Sequence, residues 1–411
     1  MTGQADTNLM RSYPQVSLNF FEKIVVQFFG RLKGGRVQLI KPDGQSMLLG
    51  EGGSQAPIEL VVHDKRFYKD ILLSGSVGLG ESYTQGYWET NNLTGFINLL
   101  IDNEHLTDGL EQKFSWLLKP VYVYKHWRNR NSIQQAKNNI LAHYDLGNDL
   151  YTRFLDTSMC YSSGYYPKPE TTLAESQVIK MDKILAPLEL KPTDHLLEVG
   201  TGWGGLAVYA ALKFGCKVTT TTLSEEQYQF SKNLVESSDL QDRITLLKQD
   251  YRLLEGQYDK IVSVEMIEAV GRSFMSTYFE TLQERLKPGG KISLQSITIA
   301  DQRMESYSST PDFIQTHIFP GGFLPSVSLL TDTIARQTSM VVRSIDDFGL
   351  SYARTLSDWR DNFLSNQKEL NDLGYDDQFF RLWLFYFAYC EAGFLKKKIS
   401  VIHLCAEKPN D

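Results

Sequence analysis

With 411 residues and a 42% hydrophobic share, the chain can bury large cores and is expected to form two domains, or one domain with elaborations. Its net charge of -7 at pH 7 argues against a nucleic-acid partner, and cysteines at 160, 216, 390 and 405 without C-x-x-C spacing argue against a zinc site or a disulfide framework. No metal is expected; the start Met1-Thr2-Gly3-Gln4-Ala5-Asp6 is no signal peptide and no apolar run reaches the length of a membrane span, so the protein is predicted to be cytoplasmic.

Residues 1–120 read as a small α+β domain. Helical stretches at 20–29 and 93–103 flank short alternating strands, Arg36-Val37-Gln38-Leu39-Ile40 and Ile58-Glu59-Leu60-Val61-Val62, with glycine-rich turns between them. Nothing in this part resembles a catalytic constellation. The glycine-punctuated, aromatic segment 72–88 is read as a packing corner, with a lipid-contacting surface as the alternative. A linker is predicted at 121–138. Its basic run Lys125-His126-Trp127-Arg128-Asn129-Arg130, like Lys396-Lys397-Lys398, reads as a solvated face; neighbouring aromatics make anionic lipid headgroups the alternative.

From 139 to 411 the pattern is βαβ. Strands are predicted near 194–200, 216–222, 243–249, 258–264, 290–299 and 399–407, with helical segments between them and an insertion at about 300–398. This predicts an α/β fold, a doubly wound, mostly parallel sheet with ligands at the carboxyl ends of its strands. The insertion carries eight aromatics between Phe379 and Phe394, more than one helix face can bury against a sheet, so some are expected to line a cavity.

The sharpest signal is His195-Leu196-Leu197-Glu198-Val199-Gly200-Thr201-Gly202-Trp203-Gly204-Gly205, a buried strand that ends in an acid and runs through a glycine loop into a helix. Gly200, Gly202 and Gly205 satisfy G-x-G-x-x-G, which brings backbone N–H groups and a helix N-terminus against a ligand. A dinucleotide reading needs an acid roughly 20 residues on to hold the ribose. None is there: the second strand ends in four threonines, and the first acids, Glu225 and Glu226, open the next helix. A pyrophosphate would be repelled by Glu198 in one dry crevice, whereas S-adenosylmethionine (SAM) brings a cationic sulfur and an ammonium and has no phosphate. Glu198 and the loop therefore predict SAM. The bland alternative is a tight strand-to-helix turn without a ligand.

Further blocks occur in order around this loop: Ala142-His143-Tyr144-Asp145-Leu146-Gly147-Asn148-Asp149, Met159-Cys160-Tyr161-Ser162-Ser163-Gly164-Tyr165-Tyr166, Thr222-Leu223-Ser224-Glu225-Glu226-Gln227, the Phe319-Pro320-Gly321-Gly322-Phe323 turn, and Phe348-Gly349-Leu350-Ser351-Tyr352. With them the chain resembles the cyclopropane-fatty-acyl-phospholipid synthase and mycolic acid cyclopropane synthase family from about residue 139 to the C-terminus. The N-terminal domain is similar to the extra domain of the longer bacterial members. The resemblance implies a class I SAM-dependent methyltransferase fold. It implies methylene transfer from SAM to a cis double bond in the acyl chain of an unsaturated membrane phospholipid, met by transient peripheral contact at the inner face of the membrane. It puts SAM contacts on Tyr161, Ser162, Gly200, Gly202, Leu223, Gln227, Asp250 and Tyr251, beside Glu198. Gln227 offers a donor and acceptors for ribose or carboxylate, and Asp250 can accept from an exocyclic amine. The resemblance also implies a bound bicarbonate as base, held by Ser163, Glu268, Gln295, the Ile297 main chain and Tyr352.

The sequence departs from the family at Ser163, where cysteine is usual, at Gln295, where histidine is usual, and at Ala269. Serine and glutamine still donate hydrogen bonds to an oxyanion. The run Val264-Glu265-Met266-Ile267-Glu268-Ala269-Val270-Gly271, with glutamine at the histidine position, is similar to the plant-type branch. Cys160 is a candidate substitute thiol or a small core residue. Glu265 and Glu268 stand three apart and have helix capping or pairing with Arg272 as rival roles; Tyr352 has packing as its rival. His143 is read as structural, and His317 as satisfying backbone groups of its turn. Three other functions stay open: ring-free C-methylation of the chain, N-methylation by a Glu-x-x-Glu pair as in plant alkaloid enzymes, and non-enzymatic lipid carriage. Whether the protein is a homodimer also stays open.

Overall fold

The structure, a computed structural model, describes residues 18–53, 56–106, 147–309 and 311–410. The whole of the predicted linker at 121–138, with its basic run, and His143 lie outside those residues.

The short strands β1 (Val37–Ile40), β2 (Ser46–Leu49), β3 (Ile58–Val62) and β4 (Trp88–Thr90) make a four-stranded sheet in the order β2-β1-β3-β4, with burial alternating along β1 and β2. Against it lie α1 (Leu18–Phe29), α2 (Arg66–Thr84) and α3 (Leu93–Asp102). Segment 72–88 proves largely helical: α2 continues through it and kinks at Gly75, where φ is 52° and ψ is -127°. Its glycines serve packing. A Cβ on Gly80 would stand 2.3 Å from the Phe313 ring and 2.8 Å from that of Phe385.

The second sheet has seven strands: β5 (His195–Val199), β6 (Lys217–Thr222), β7 (Ile244–Lys248), β8 (Tyr258–Val264), β9 (Leu286–Ile299), β10 (Val341–Asp347) and β11 (Ile399–Glu407). Their order is β10-β11-β9-β8-β5-β6-β7, parallel from β9 to β7 and antiparallel through β11 and β10. Strand β10 was not foreseen. It is an exposed edge strand whose Arg343, Ser344, Asp346 and Asp347 give no apolar alternation.

Seven further helices matter for the site: α4 (Asn148–Phe154), α5 (Leu173–Leu185), α6 (Gly205–Phe214), α7 (Glu225–Ser237), α8 (Met275–Arg285), α9 (Val327–Gln337) and α10 (Gly349–Ser365). Neighbouring residues of β5 face opposite ways. Leu196 joins Met181 of α5 and Ala210 of α6 on one face, while Leu197 joins Phe279 of α8 and Leu330 of α9 on the other. The sheet is therefore covered by helices on both faces, as a parallel sheet requires. Thr172 starts α5 with a capping box, its side chain taking the Glu175 N–H while Glu175 accepts from the Thr172 N–H.

The aromatic helix of the insertion, α11 (Asp377–Leu395), lies between α2 and α3 on one side and α10 on the other. Partners all round explain its aromatic excess. Phe380, Trp383, Phe385, Tyr386, Phe387 and Phe394 pack against other rings in one hydrophobic core that runs from Phe21 to Val401. These six rings therefore serve as core. Because α2 meets α11 and the Phe313 ring at a position with no room for a side chain, Gly80→Val is expected to destabilise the protein by about 2 kcal/mol. A thermal unfolding curve identical to wild type would refute this packing role.

Candidate active site

The chain leaves β5 for β6 on one side and β8 for β9 on the other, so the loops after β5 and β8 diverge and leave a crevice at the carboxyl ends of the strands. A cleft open to solvent lies there. Its wall includes Met159 to Ser162, Lys180, Glu198 to Trp203, Thr221 to Leu223, Gln227, Gln249, Tyr251 and Val264 to Met266. The glycine loop shapes it: Gly202 has φ +55°, and a Cβ built there meets nothing within 4 Å. Any side chain at 202 would project into space the ligand needs.

Eight of the nine residues expected to hold SAM stand on this wall: Tyr161, Ser162, Glu198, Gly200, Gly202, Leu223, Gln227 and Tyr251. Asp250 does not. Its carboxylate accepts from the Arg252 main chain at 2.9 Å and from the Arg252 guanidinium at 2.8 and 2.7 Å, capping the short turn Tyr251–Leu253. Gln249 and Tyr251 are the residues of this loop on the cleft wall. Ser224 caps α7 by accepting the Gln227 N–H at 3.2 Å, and Thr222 donates to the Gln227 side chain at 2.8 Å.

Glu198 is only 2% exposed and accepts from the Thr220 hydroxyl. Burial pushes its carboxyl up to about 7, against the pull of that hydrogen bond and of the Lys180 ammonium. A carboxylate this deep needs a cation, and the cleft beside it is open. The residues present thus fit SAM, which would supply a sulfonium methyl group. Lys180 had no part in the sequence reading. It belongs to the inward stripe of α5 with Gln177, Met181 and Ile184, and its ammonium donates to Ser162 Oγ at 2.8 Å. A lysine at i+3 in an inward stripe was the available signal.

The five residues assigned to bicarbonate do converge, but on carboxylates of the chain itself. Glu265, at the end of β8, accepts from the Ser163 N–H at 3.0 Å, from Gln295 Nε2 at 2.7 Å and from the Tyr352 hydroxyl at 2.7 Å. Glu268 takes the Ile297 N–H at 2.6 Å and the Ser296 hydroxyl at 3.1 Å. The Ser163 hydroxyl is turned to the Gly164 carbonyl at 2.9 Å. A free bicarbonate would find these donors committed and two half-buried carboxylates beside it, so the site does not fit that anion. Glu265 is on the cleft wall and Glu268 is not among the wall residues.

Glu265 has φ +47°, a left-handed conformation that costs a residue with a Cβ about 1–2 kcal/mol. Burial raises its pKa, and the three donors oppose the rise. Burial, and then repulsion by Glu265, pushes Glu268 up to about 8, so Glu268 is the protonated partner at neutral pH. Sheet register completes the site. Gln295 lies opposite His403 on β11, and its Oε1 faces His403 Nε2 at 2.9 Å. Burial holds His403 down to about 3, so the ring stays neutral and its Nε2–H can orient Gln295. His403 was invisible in the sequence, being about 100 residues from Gln295 and brought to it only by the β9–β11 pairing. Cys160 lines the cleft, and burial pushes its thiol up, so it remains a neutral thiol. Two rival pairings are settled by contacts: Arg272 binds Glu305 at 3.0 Å, and His317 meets Glu81 of α2 at 3.0 Å in place of backbone groups of its own turn.

Strand order, glycine loop and buried acid define a class I SAM-dependent methyltransferase. Residues 131–404 match the mycolic acid cyclopropane synthetase family, and the chain belongs to that family. It is 35% identical over 372 residues to the tuberculostearic acid methyltransferase UfaA1 of Mycobacterium tuberculosis, covering 89% of this chain and 86% of the relative. It is also 35% identical over 348 residues to the cyclopropane-fatty-acyl-phospholipid synthase of Escherichia coli K12, covering 84% and 87%. Among solved structures, the mycolic acid cyclopropane synthase CmaA1 complexed with S-adenosylhomocysteine and CTAB superposes with a TM-score of 0.62 at 28% identity, covering 66% of this chain and 98% of that one.

Two outcomes follow from the cofactor half. Gly202→Val places a branched side chain at positive φ in the ligand space, and SAM affinity measured by calorimetry is expected to fall at least ~100-fold while the circular dichroism spectrum is retained; unchanged affinity would remove the loop from the site. Because a cationic ligand selects the ionised form of Glu198, binding below pH 7 must release a proton, so SAM affinity should fall about tenfold per pH unit from roughly pH 6.5 to 5.5. Glu198→Gln should flatten that slope, and an equally steep slope in the variant would assign the proton elsewhere.

Proposed function

We propose that the protein transfers a methylene group from SAM to a cis double bond in an unsaturated acyl chain of a membrane phospholipid, giving a cyclopropane fatty acyl chain. The observation that carries this is a half-buried, hydrogen-bonded carboxylate, Glu265, on the wall of a cofactor cleft whose neighbouring residues are aromatic. Tyr161 lies 5.2 Å from Trp359, centre to centre, and Tyr352 stacks on Phe394 at 4.5 Å. An alkene is a weak nucleophile, so alignment in a water-excluding slot must supply several kcal/mol of the barrier. Attack leaves a carbocation, which ring faces and a carboxylate stabilise and which water must not reach. The proposed place of action is the cytoplasmic side of the membrane, by transient contact. No described helix is long and apolar enough to cross a membrane.

A ring-free methylated chain is the second reading. It is favoured by the departures at Ser163 and Gln295 and by the relative named for tuberculostearic acid methyl transfer. N-methylation by a Glu-x-x-Glu pair has less support, because Glu268 is not on the cleft wall. The test is incubation with SAM and vesicles of oleoyl or vaccenoyl phospholipid, followed by conversion to methyl esters, mass spectrometry and proton NMR. The expected ester is heavier by one CH2 and shows high-field cyclopropane protons. Olefinic protons of an exomethylene group would instead establish the second reading, and no added carbon on any acyl chain would refute both.

A further inference from the structure

We infer that Glu265 is the protein's own general base, occupying with its side chain the place where the family resemblance puts a bicarbonate, and that it accepts the proton the transferred methyl group must lose. The inference rests on the reaction proposed above. Of the five residues assigned to the anion, three donate to this one carboxylate, Ser163 through its N–H, Gln295 through its amide and Tyr352 through its hydroxyl, and a fourth, Ile297, donates its N–H to Glu268. Glu265 alone of the two carboxylates lies on the cleft wall. Its backbone carries the strain. At φ +47° a glycine would sit without cost, so the fold bears a side chain there that only a specific role rewards.

The groups around Glu265 suit a base. Gln295 is oriented by neutral His403, Tyr352 remains protonated because burial raises its pKa, and Glu268 is held neutral. The single charge facing the pair from α5 is the Lys180 ammonium, which joins the three donors in opposing the rise that desolvation imposes on the Glu265 pKa. The step balances as follows. The alkene π pair bonds to the methyl carbon while the S–CH3 bond pair stays on sulfur, giving a neutral thioether and a carbocation on the adjacent chain carbon. Glu265 takes one proton from the new methyl, and the released C–H pair closes the third ring bond onto the cationic carbon. The sulfonium charge and the carboxylate charge are lost together, leaving Glu265 as a neutral acid. If the cation first moves by hydride shift, loss of the same proton yields an exomethylene group, so one base serves either product.

Glu265→Gln and Glu265→Gly test this in the full chain with carbon-labelled bicarbonate, SAM and unsaturated phospholipid vesicles. Glycine accepts the left-handed backbone, and glutamine keeps the side-chain volume. Wild type is expected to turn over equally in carbonate-free and bicarbonate-containing buffer, whereas Glu265→Gln should lose at least ~100-fold in turnover with SAM affinity changed less than about tenfold. Glu265→Gly should bind bicarbonate, seen by NMR of the labelled carbon, where wild type does not, and added bicarbonate or formate should restore part of its turnover. Bicarbonate binding by wild type, with turnover lost on its removal, would overturn the inference, as would Glu265→Gln turning over within about twofold of wild type. The binding arm needs no turnover. A wild type that modifies no acyl chain would therefore refute the proposed reaction, while the bicarbonate result still decides what occupies the anion position.

Discussion

Three carboxyl groups stand close together, Glu198 buried and Glu265 and Glu268 half-buried, with a single buried ammonium, Lys180, among the described residues that line the cleft. Like charges in a dry crevice repel strongly, so the arrangement persists only if each carboxyl finds its own compensation. Glu265 has three donors, Glu268 holds a proton, and Glu198 has a threonine hydroxyl and an open cavity that suits a cation. The remaining negative potential explains why a cationic methyl donor, and a cationic chain intermediate after it, belong in this cleft while another anion does not.

The fold imposes that arrangement through strand ends and register. Glu198, near the end of β5, and Glu265, just after β8, stand at the carboxyl ends of adjacent parallel strands, and the divergence of the loops keeps water and ligand space between them. Gln295 is held between β8 and β11: its carbonyl accepts the Glu265 N–H at 2.9 Å, and its amide bridges the Glu265 carboxylate and His403. A one-residue slip of β9 would turn Gln295 to the opposite face and leave Glu265 without that donor. The four-stranded sheet contributes indirectly, since α2 and α3 brace α11, and α11 supplies Tyr386, whose hydroxyl meets that of Tyr161 at 2.9 Å.

The departures at Ser163 and Gln295 gain a physical meaning from Glu265. A histidine and a thiol around a mobile anion are one way to hold a negative oxygen beside the methyl donor. A carboxylate tethered to the main chain is another, and it needs only neutral donors, which serine's main chain, glutamine and tyrosine provide. Glutamine suits this better than a histidine, because it donates to Glu265 and accepts from His403 at once without changing charge.

Much was legible in the sequence because it is local. The βαβ alternation, the acid and glycines after β5, and the serine cap before Gln227 each depend on residues close in the chain, and the structure places the strands and the loop where those patterns put them. Strand β10 was not legible, since an exposed edge carries no apolar period. The pairing of Asp250 with an arginine two residues on was not legible, nor was the bracing of the aromatic helix by residues 66–102. The sequence by itself determined the class of fold, the cofactor cleft and the identity of the residues that meet beside it. Only the tertiary structure decided which of two neighbouring glutamates faces the cleft, that a buried lysine and a distant histidine stand behind them, and that the donors expected for a bicarbonate are bound to the chain's own carboxylates. The reason is that these are long-range facts, set by a left-handed turn at one residue and by the pairing of strands a hundred residues apart.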